Sequence, residues 1–340
     1  MKSIESHLKE LGVFRHGTAE HQRAEEKLYR YFSREYDRWD GNKTSPKHYG
    51  AHPDMGPLSH IEDVNSSLPY EHDIEIYKKI LDSEYMAYSM AYFGDDFETT
   101  INSKLSLEDA QTQKYKLISK RLGVQDGQSI LDIGCGFGGY IKYLQSNYND
   151  LQITGINPSA TQYKNIPSVA DTNSSKTINQ PLEKALQGVS SESFDRIVSI
   201  GVLEHFNNLA LLQETIHTLL KPGGACLHHL IVSIDTIPQF LTAKDTIISD
   251  YFPNGHVWPY DTIPRHSDCF DEVRAWFING SNYWKTLDIW HKNYWDSAPM
   301  DGSVSAKEIE YWHNYFMLCK AMFFPHCGQR YGNAHYLCTK

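Results

Sequence analysis

The residues best suited to chemistry stand together in Ser129-Ile-Leu-Asp-Ile-Gly-Cys-Gly-Phe-Gly-Gly139. Asp132, Gly134, Gly136 and Gly138 follow one another at steps of two, and Gly139 comes next. Glycine tolerates φ > 0 and lets a ligand lie against the backbone. A loop that grips phosphate would read Gly-x-Gly-x-x-Gly. Here an acid stands just before the glycines, where it would repel a pyrophosphate but can accept hydrogen bonds from an amine or a hydroxyl. That chemistry suits a zwitterionic ligand bearing a ribose. A glycine turn without a ligand would need four glycines in six positions for no packing reason.

The elements around the turn can be read by periodicity. Ile130, Leu131 and Ile133 form the apolar run of a strand covered on both faces. Tyr140-Ile-Lys-Tyr-Leu144 changes to helical spacing, so the turn opens a helix with free N–H groups. From 129 to about 233 strand and helix alternate, which predicts an α/β fold on a parallel sheet. Strands are expected at 152–156, 176–179, 194–200 and 225–232, with a helix over 211–220. Ligands in such sheets lie beyond the carboxyl ends of the strands. Those ends are Asp132–Gly139, Asn157–Gln162, Gly201–His205 and His229–Ser233. Helices are expected over 1–13, 18–36, 71–92 and 106–123, the last opened by Ser106 three residues before Asp109. Residues 40–70 read as a long loop. Residues 1–70 are expected to be a helical lid that caps the site or joins a homodimer, and 71–125 a helical cover. Residues 126–233 form the core, 234–325 a helix-rich aromatic substrate cap, and 326–340 a closing strand.

Composition narrows the function. A net charge of −10 over 340 residues argues against a nucleic-acid surface and against docking on an anionic bilayer. No window approaches the ~20 apolar residues of a membrane span. The first residues lack the apolar core of a signal peptide. The six cysteines are scattered and read as reduced thiols, which predicts a cytoplasmic protein. No Cys/His spacing resembles a zinc site, so no metal is expected. The 22 Tyr, 14 Phe and 7 Trp, dense after residue 250, suit cap packing or an aromatic-walled pocket for an apolar or cationic substrate.

The glycine motif resembles the first motif of the S-adenosylmethionine (SAM)-dependent methyltransferases. An ordered set of further motifs resembles one family among them, the cyclopropane-fatty-acid synthases and mycolic-acid methyltransferases. The set includes Tyr85-Met-Ala-Tyr-Ser-Met-Ala-Tyr92, Leu107-Glu-Asp-Ala-Gln111 and Phe194–His205. It continues through Tyr251-Phe-Pro-Asn-Gly255, Tyr283-Trp-Lys-Thr-Leu-Asp-Ile-Trp290 and Tyr315–Phe323. The resemblance implies a Rossmann-like, seven-stranded, mostly parallel class I sheet with a helical cap. It implies SAM contacts at Tyr88, Ser89, Gln111, Asp132, Gly134, Gly136, Gly138, Asn157, Gln162 and Gln180. It also implies a bicarbonate ion that removes a proton from the methylated cation, held at Cys135, Glu204, His229, Ile231 and Tyr283.

The chain departs from the family at Tyr70-Glu-His-Asp-Ile-Glu-Ile-Tyr77, which lacks a Gly-Asn pair, and at Asn179-Gln180, where an acid is expected. The first 65 residues match no motif. The leading expectation is transfer of a methyl or methylene group to an alkene carbon of a lipid or isoprenoid-like substrate. The alternative is methylation of nitrogen, or another heteroatom, in a small soluble metabolite, with Glu204 and the His228-His229 pair acting as base. A SAM-binding regulator is the third reading.

Overall fold

The computed structural model describes residues 4–40, 58, 73–167, 174–234, 239–240, 251, 255–297 and 304–340. The loop expected over 40–70, Asp40 and Leu58 apart, and most of Tyr251–Gly255 lie outside the described residues. The strands are β1 (Ser129–Ile133), β2 (Gln152–Ile156), β3 (Ser175–Ile178), β4 (Phe194–Ile200), β5 (Leu220–Ser233), β6 (Gln239–Phe240), β7 (His256–Pro259), β8 (Glu272–Asn279) and β9 (Tyr331–Thr339). β3, β2, β1, β4 and β5 lie side by side and run parallel. β9 joins β5 antiparallel and carries β8 on its other edge. The short β7 pairs with the last two residues of β5. This is a mixed α/β sheet, mostly parallel.

The central strands are apolar on both faces, as a sheet covered by helices requires. Ile130, Leu131, Ile133, Ile197, Val198, Leu227 and Leu230 are all buried. Helix Leu107–Leu122 begins as its sequence predicts. Ser106 Oγ accepts from the Asp109 N–H at 3.0 Å, and Gly123 ends the helix at φ 68°.

Two expectations need correction. The helix expected over 71–92 stops at Ile80. Beyond it the Asp82 carboxylate accepts from the N–H groups of Tyr85 at 2.6 Å and Ala87 at 2.8 Å. Those bonds pull the chain out of the helix. The backbone of Ala91 then bonds Thr286 Oγ1, and that of Phe93 bonds Asn282 Oδ1. Residues 81–93 therefore form an irregular strap pinned by side chains. The second correction falls within the expected cap at 234–325. Residues Glu272–Asn279 are a strand of the main sheet. Val273, Ala275 and Phe277 alternate onto the core beneath it. Gly280 ends the strand so close to β9 that a Cβ there would lie 1.9 Å from the Tyr331 carbonyl oxygen.

The aromatic cap is built mainly on helices Ser281–Ser297 and Ala306–Phe323, with Trp290, Trp312 and Phe316 fully buried in one cluster. The N-terminal helices Ile4–Glu10 and Ala19–Asp40 lie on this cap. Tyr36 Oη donates to the Met322 carbonyl at 3.1 Å, and Trp284 Nε1 donates to Tyr29 Oη at 2.8 Å. Among the described residues no helix is long and apolar enough to cross a membrane.

Candidate functional site

The carboxyl ends of β1, β2 and β4 open into a cavity of about 120 Å³, roofed by Tyr85–Ser89 of the strap. The glycine turn forms its floor. Gly134 and Gly136 take φ of 72° and 57°, a region that favours glycine. Gly134 is also fixed by packing, because a Cβ there would lie 2.3 Å from Val202 Cγ2, whereas at Gly136 it would meet open space. The N–H groups of Gly134 and Cys135 both donate to the Ile156 carbonyl, at 2.7 and 3.1 Å. Asn157 Nδ2 braces the turn through the Gly136 carbonyl at 3.0 Å and bonds Gln162 Oε1 at 3.0 Å.

Asp132 lies at the inner end of this cavity, 2% exposed. Burial pushes its carboxyl up to about 8, and its Oδ2 has no hydrogen-bond partner. An orphaned buried carboxyl group beside open backbone fits a ligand that brings donors or an ammonium group in whose presence it ionises. SAM satisfies both demands.

Not every expected contact lines the cavity. Tyr88, Ser89, Asp132, Gly134, Gly136, Asn157 and Gln162 do. Gly138 stands just outside as the left-handed N-cap of helix Gly139–Asn147. Gln111 is fully buried behind the strap, where its Nε2 donates to the Ser89 carbonyl at 3.0 Å. Gln180 is exposed, and its neighbours Pro181 and Leu182 line the wall instead.

A second cavity, of about 70 Å³, shares Tyr88, Ser89, Gly201 and His205 with the first. Its walls include Tyr283, Tyr315, Phe323, Leu287 and Ile231. Glu204 lines it from the single helical turn Leu203–His205 that follows β4. That turn is pinned from β7, where Trp258 Nε1 donates to the Leu203 carbonyl at 3.0 Å. Glu204 Oε1 accepts from the Ile231 N–H at 2.7 Å, and Oε2 has no partner. Burial raises its carboxyl from 4.5 to about 7. His205 beside it is held neutral by burial and by His256, at about 4.

The structure brings Glu204, Ile231 and Tyr283 to this cavity. It places the Cys135 backbone in the first cavity, with its N–H already bonded. His229 lines neither. Its Nδ1 faces His335 Nε2 at 2.8 Å and its Nε2 faces Asn333 Nδ2 at 3.1 Å. The expected bicarbonate donors are thus largely engaged with other protein groups.

The chain of rings has a fixed polarity. Arg121 Nη1 lies 2.8 Å from His335 Nδ1, and arginine can only donate. His335 therefore carries its proton on Nε2 and donates to His229 Nδ1. His229 in turn carries its proton on Nε2 and needs an acceptor there. The Asn333 amide satisfies this with its oxygen towards His229 and its NH₂ towards the cavity; at this site the O/N assignment follows the hydrogen-bond network. His229 thus positions Asn333, which sequence reasoning missed. Lys114 was also missed. It is fully buried, donates to Ser89 Oγ at 2.7 Å, and is pulled down to about 7 by burial. Its position in helix Leu107–Leu122 looks like that of any surface lysine until the strap covers it.

A family model described as mycolic acid cyclopropane synthetase matches residues 59–329. The chain belongs to that family. Within it, the chain is 31% identical over 232 residues to the cyclopropane-fatty-acyl-phospholipid synthase of Escherichia coli (strain K12), covering 68% of this chain and 56% of that enzyme. It is 26% identical over 215 residues to the probable (S)-tetrahydroprotoberberine N-methyltransferase 2 of Papaver bracteatum, covering 61% of this chain and 57% of that one. The chain thus spans a little over half the length of these two relatives. Its fold matches that of coclaurine N-methyltransferase bound to N-methylheliamine and S-adenosylhomocysteine (SAH). That match has a TM-score of 0.78 at 20% identity and covers 94% of this chain and 95% of the other. The relatives it matches thus include both a cyclopropane synthase and N-methyltransferases.

Proposed function

We propose that the protein transfers the methyl group of SAM to the nitrogen of a small amine, with Glu204 as the proton acceptor. The observation that carries this reading is the free Oε2 of Glu204 in an aromatic-lined cavity adjoining the SAM-type cavity. SAM would be held by the glycine turn, Asp132, Asn157 and Gln162, and would supply an electrophilic methyl group. The protein would orient the amine lone pair towards the shared wall at Tyr88, Ser89 and Gly201. Tyr88, Tyr283, Tyr315 and Phe323 offer ring faces to the cation that forms as nitrogen gains its fourth substituent. The N–H proton of that cation then passes to Glu204. A carboxylate at about 7 is matched to this task near neutral pH.

Methylation or cyclopropanation of an alkene carbon is the second reading, in which bicarbonate takes the proton. It is favoured by the 31% identity to the bacterial synthase and by Tyr283 in the cavity wall. A single assay separates the two. The enzyme is incubated with SAM and either an amine panel or unsaturated phospholipid and isoprenoid vesicles, with and without bicarbonate, and SAH release is followed. Turnover with amines, indifferent to bicarbonate and lost in Glu204→Gln, supports nitrogen transfer. Turnover only with alkenes, restored by bicarbonate, overturns it.

A further inference from the structure

Histidines from four places converge where the N-terminal helices meet the cap, and none of them lines either cavity. His16 lies in the turn before helix Ala19–Asp40 and His21 in that helix's first turns, while His291 and His313 come from helices Ser281–Ser297 and Ala306–Phe323. The rings of His16, His21 and His291 form a nearly equilateral triangle with centroids 4.9, 5.0 and 5.2 Å apart, each tilted to the others. One nitrogen from each lies within 4.8 Å of the other two. Three imidazole nitrogens ~2.1 Å from one tetrahedral ion would set ring centroids about 5.2 Å apart.

Hydrogen bonding does not explain the triangle. His21 is 1% exposed, and neither of its ring nitrogens makes a hydrogen bond; its Nε2 only lies 3.2 Å from Glu25 Oε1. His291 Nδ1 is buried and unpartnered too. The outer nitrogens, by contrast, are occupied. His16 Nε2 lies 2.8 Å from Asp288 Oδ1, and His291 Nε2 accepts from Trp295 Nε1 at 3.1 Å and lies 3.2 Å from His313 Nδ1. His21 and His291 so keep buried ring nitrogens without a partner, and an ion bound at His291 Nδ1 takes the place of the proton that the Trp295 N–H leaves there. A carboxylate behind a histidine is how proteins fix a metal-binding tautomer. The surroundings favour a cation. Asp288 and Glu25 face one ammonium, that of the fully buried Lys320, which leaves one negative charge in excess. Burial also keeps His291 and His313 neutral, the form that binds metals.

We propose that His16, His21 and His291 form a structural site for a divalent transition-metal ion of the zinc class, which fastens the N-terminal helices to the cap. Sequence spacing hides such a site, since its ligands come from opposite ends of the chain. The family match begins at residue 59, so two of the three ligands lie outside it.

The test uses the full chain, stripped with a chelator and titrated with Co²⁺ and then Zn²⁺. One equivalent should bind, with visible bands from Co²⁺ and only nitrogen and oxygen neighbours by X-ray absorption. The melting temperature should rise with the ion. His16→Gln, in a turn, should abolish the Co²⁺ spectrum, and Asp288→Asn should weaken binding about 10–100-fold. Circular dichroism checks that each variant folds, and either one alone decides the matter. Binding unchanged in a folded variant would overturn the site. So would no binding to the parent protein, or sulfur neighbours, which would put the ion at Cys226, His228 and Cys338 instead.

Discussion

Replacing Glu204 with glutamine should separate activity from stability, in opposite directions. The side chain keeps its shape and its Oε1 can still accept from the Ile231 N–H. It loses the ability to take a proton, so kcat/KM should fall by ~10²–10⁴, the usual worth of a positioned base. In the parent enzyme kcat/KM should climb with pH and level off above about 7, as Glu204 ionises. Stability runs the other way. The folded protein holds the Glu204 proton more tightly than the unfolded chain, so stability from this group is lost as pH rises from about 4.5 to about 7 and is constant above. The interval from 4.5 to about 7, at ~1.36 kcal/mol per pH unit, amounts to roughly 3 kcal/mol. Glutamine carries no such cost. With an unfolding entropy of ~2.1 cal/mol/K per residue, the variant should melt about 4 °C higher at pH 8 and no higher at pH 4. Calorimetry at the two pH values, with SAH-release kinetics on the same samples, provides the measurement. Full activity in the variant, or a lower melting temperature at pH 8, would refute the assignment of Glu204 as a buried base.

Three further outcomes are expected. Asp132, pushed up to about 8 by burial, should give up its proton when the ammonium of SAH arrives. Calorimetry at pH 7 in buffers of different ionisation enthalpy should then show up to one proton released, and none in Asp132→Asn. Arg121→Met should remove the donor that orients His335, His229 and Asn333. At about 1 kcal/mol for one misplaced hydrogen bond, turnover should drop roughly fivefold while SAH affinity is unchanged. Gly280→Ala should cost about 1–3 kcal/mol by overpacking, read as a lower denaturant midpoint, because its Cβ would meet the Tyr331 backbone.

The glycine turn, the first five strands of the sheet and helix Leu107–Leu122 were legible because local signals agree there: apolar runs, a capping serine, a glycine stop. Glu204, Ile231 and Tyr283 were placed by motifs, and the structure brings them to one cavity. Residues 81–92 were misread because Tyr85, Tyr88 and Tyr92 repeat at helical spacing. What undoes that helix is the Asp82 carboxylate, which captures the N–H groups of Tyr85 and Ala87, together with Thr286 and Asn282, about 190 residues away, which hold the backbone at Ala91 and Phe93. The strand Glu272–Asn279 was hidden among aromatic residues that suit a cap helix equally well. His229 was read as a ligand holder because sequence shows the residue type and cannot show that both of its nitrogens are bonded within the protein.

The strap has a thermodynamic consequence. Tyr88 and Ser89 belong to both cavities, and the backbone that carries them is held by Asp82, Gln111, Asn282 and Thr286. In the proposed reaction the methyl donor and its acceptor would therefore press on opposite faces of one shared partition. Any preference of the strap for one position when the first cavity fills must alter affinity in the second, and linkage makes the effect mutual. The factor by which SAH tightens or weakens the hold on the methyl acceptor is the factor by which the acceptor does the same to SAH.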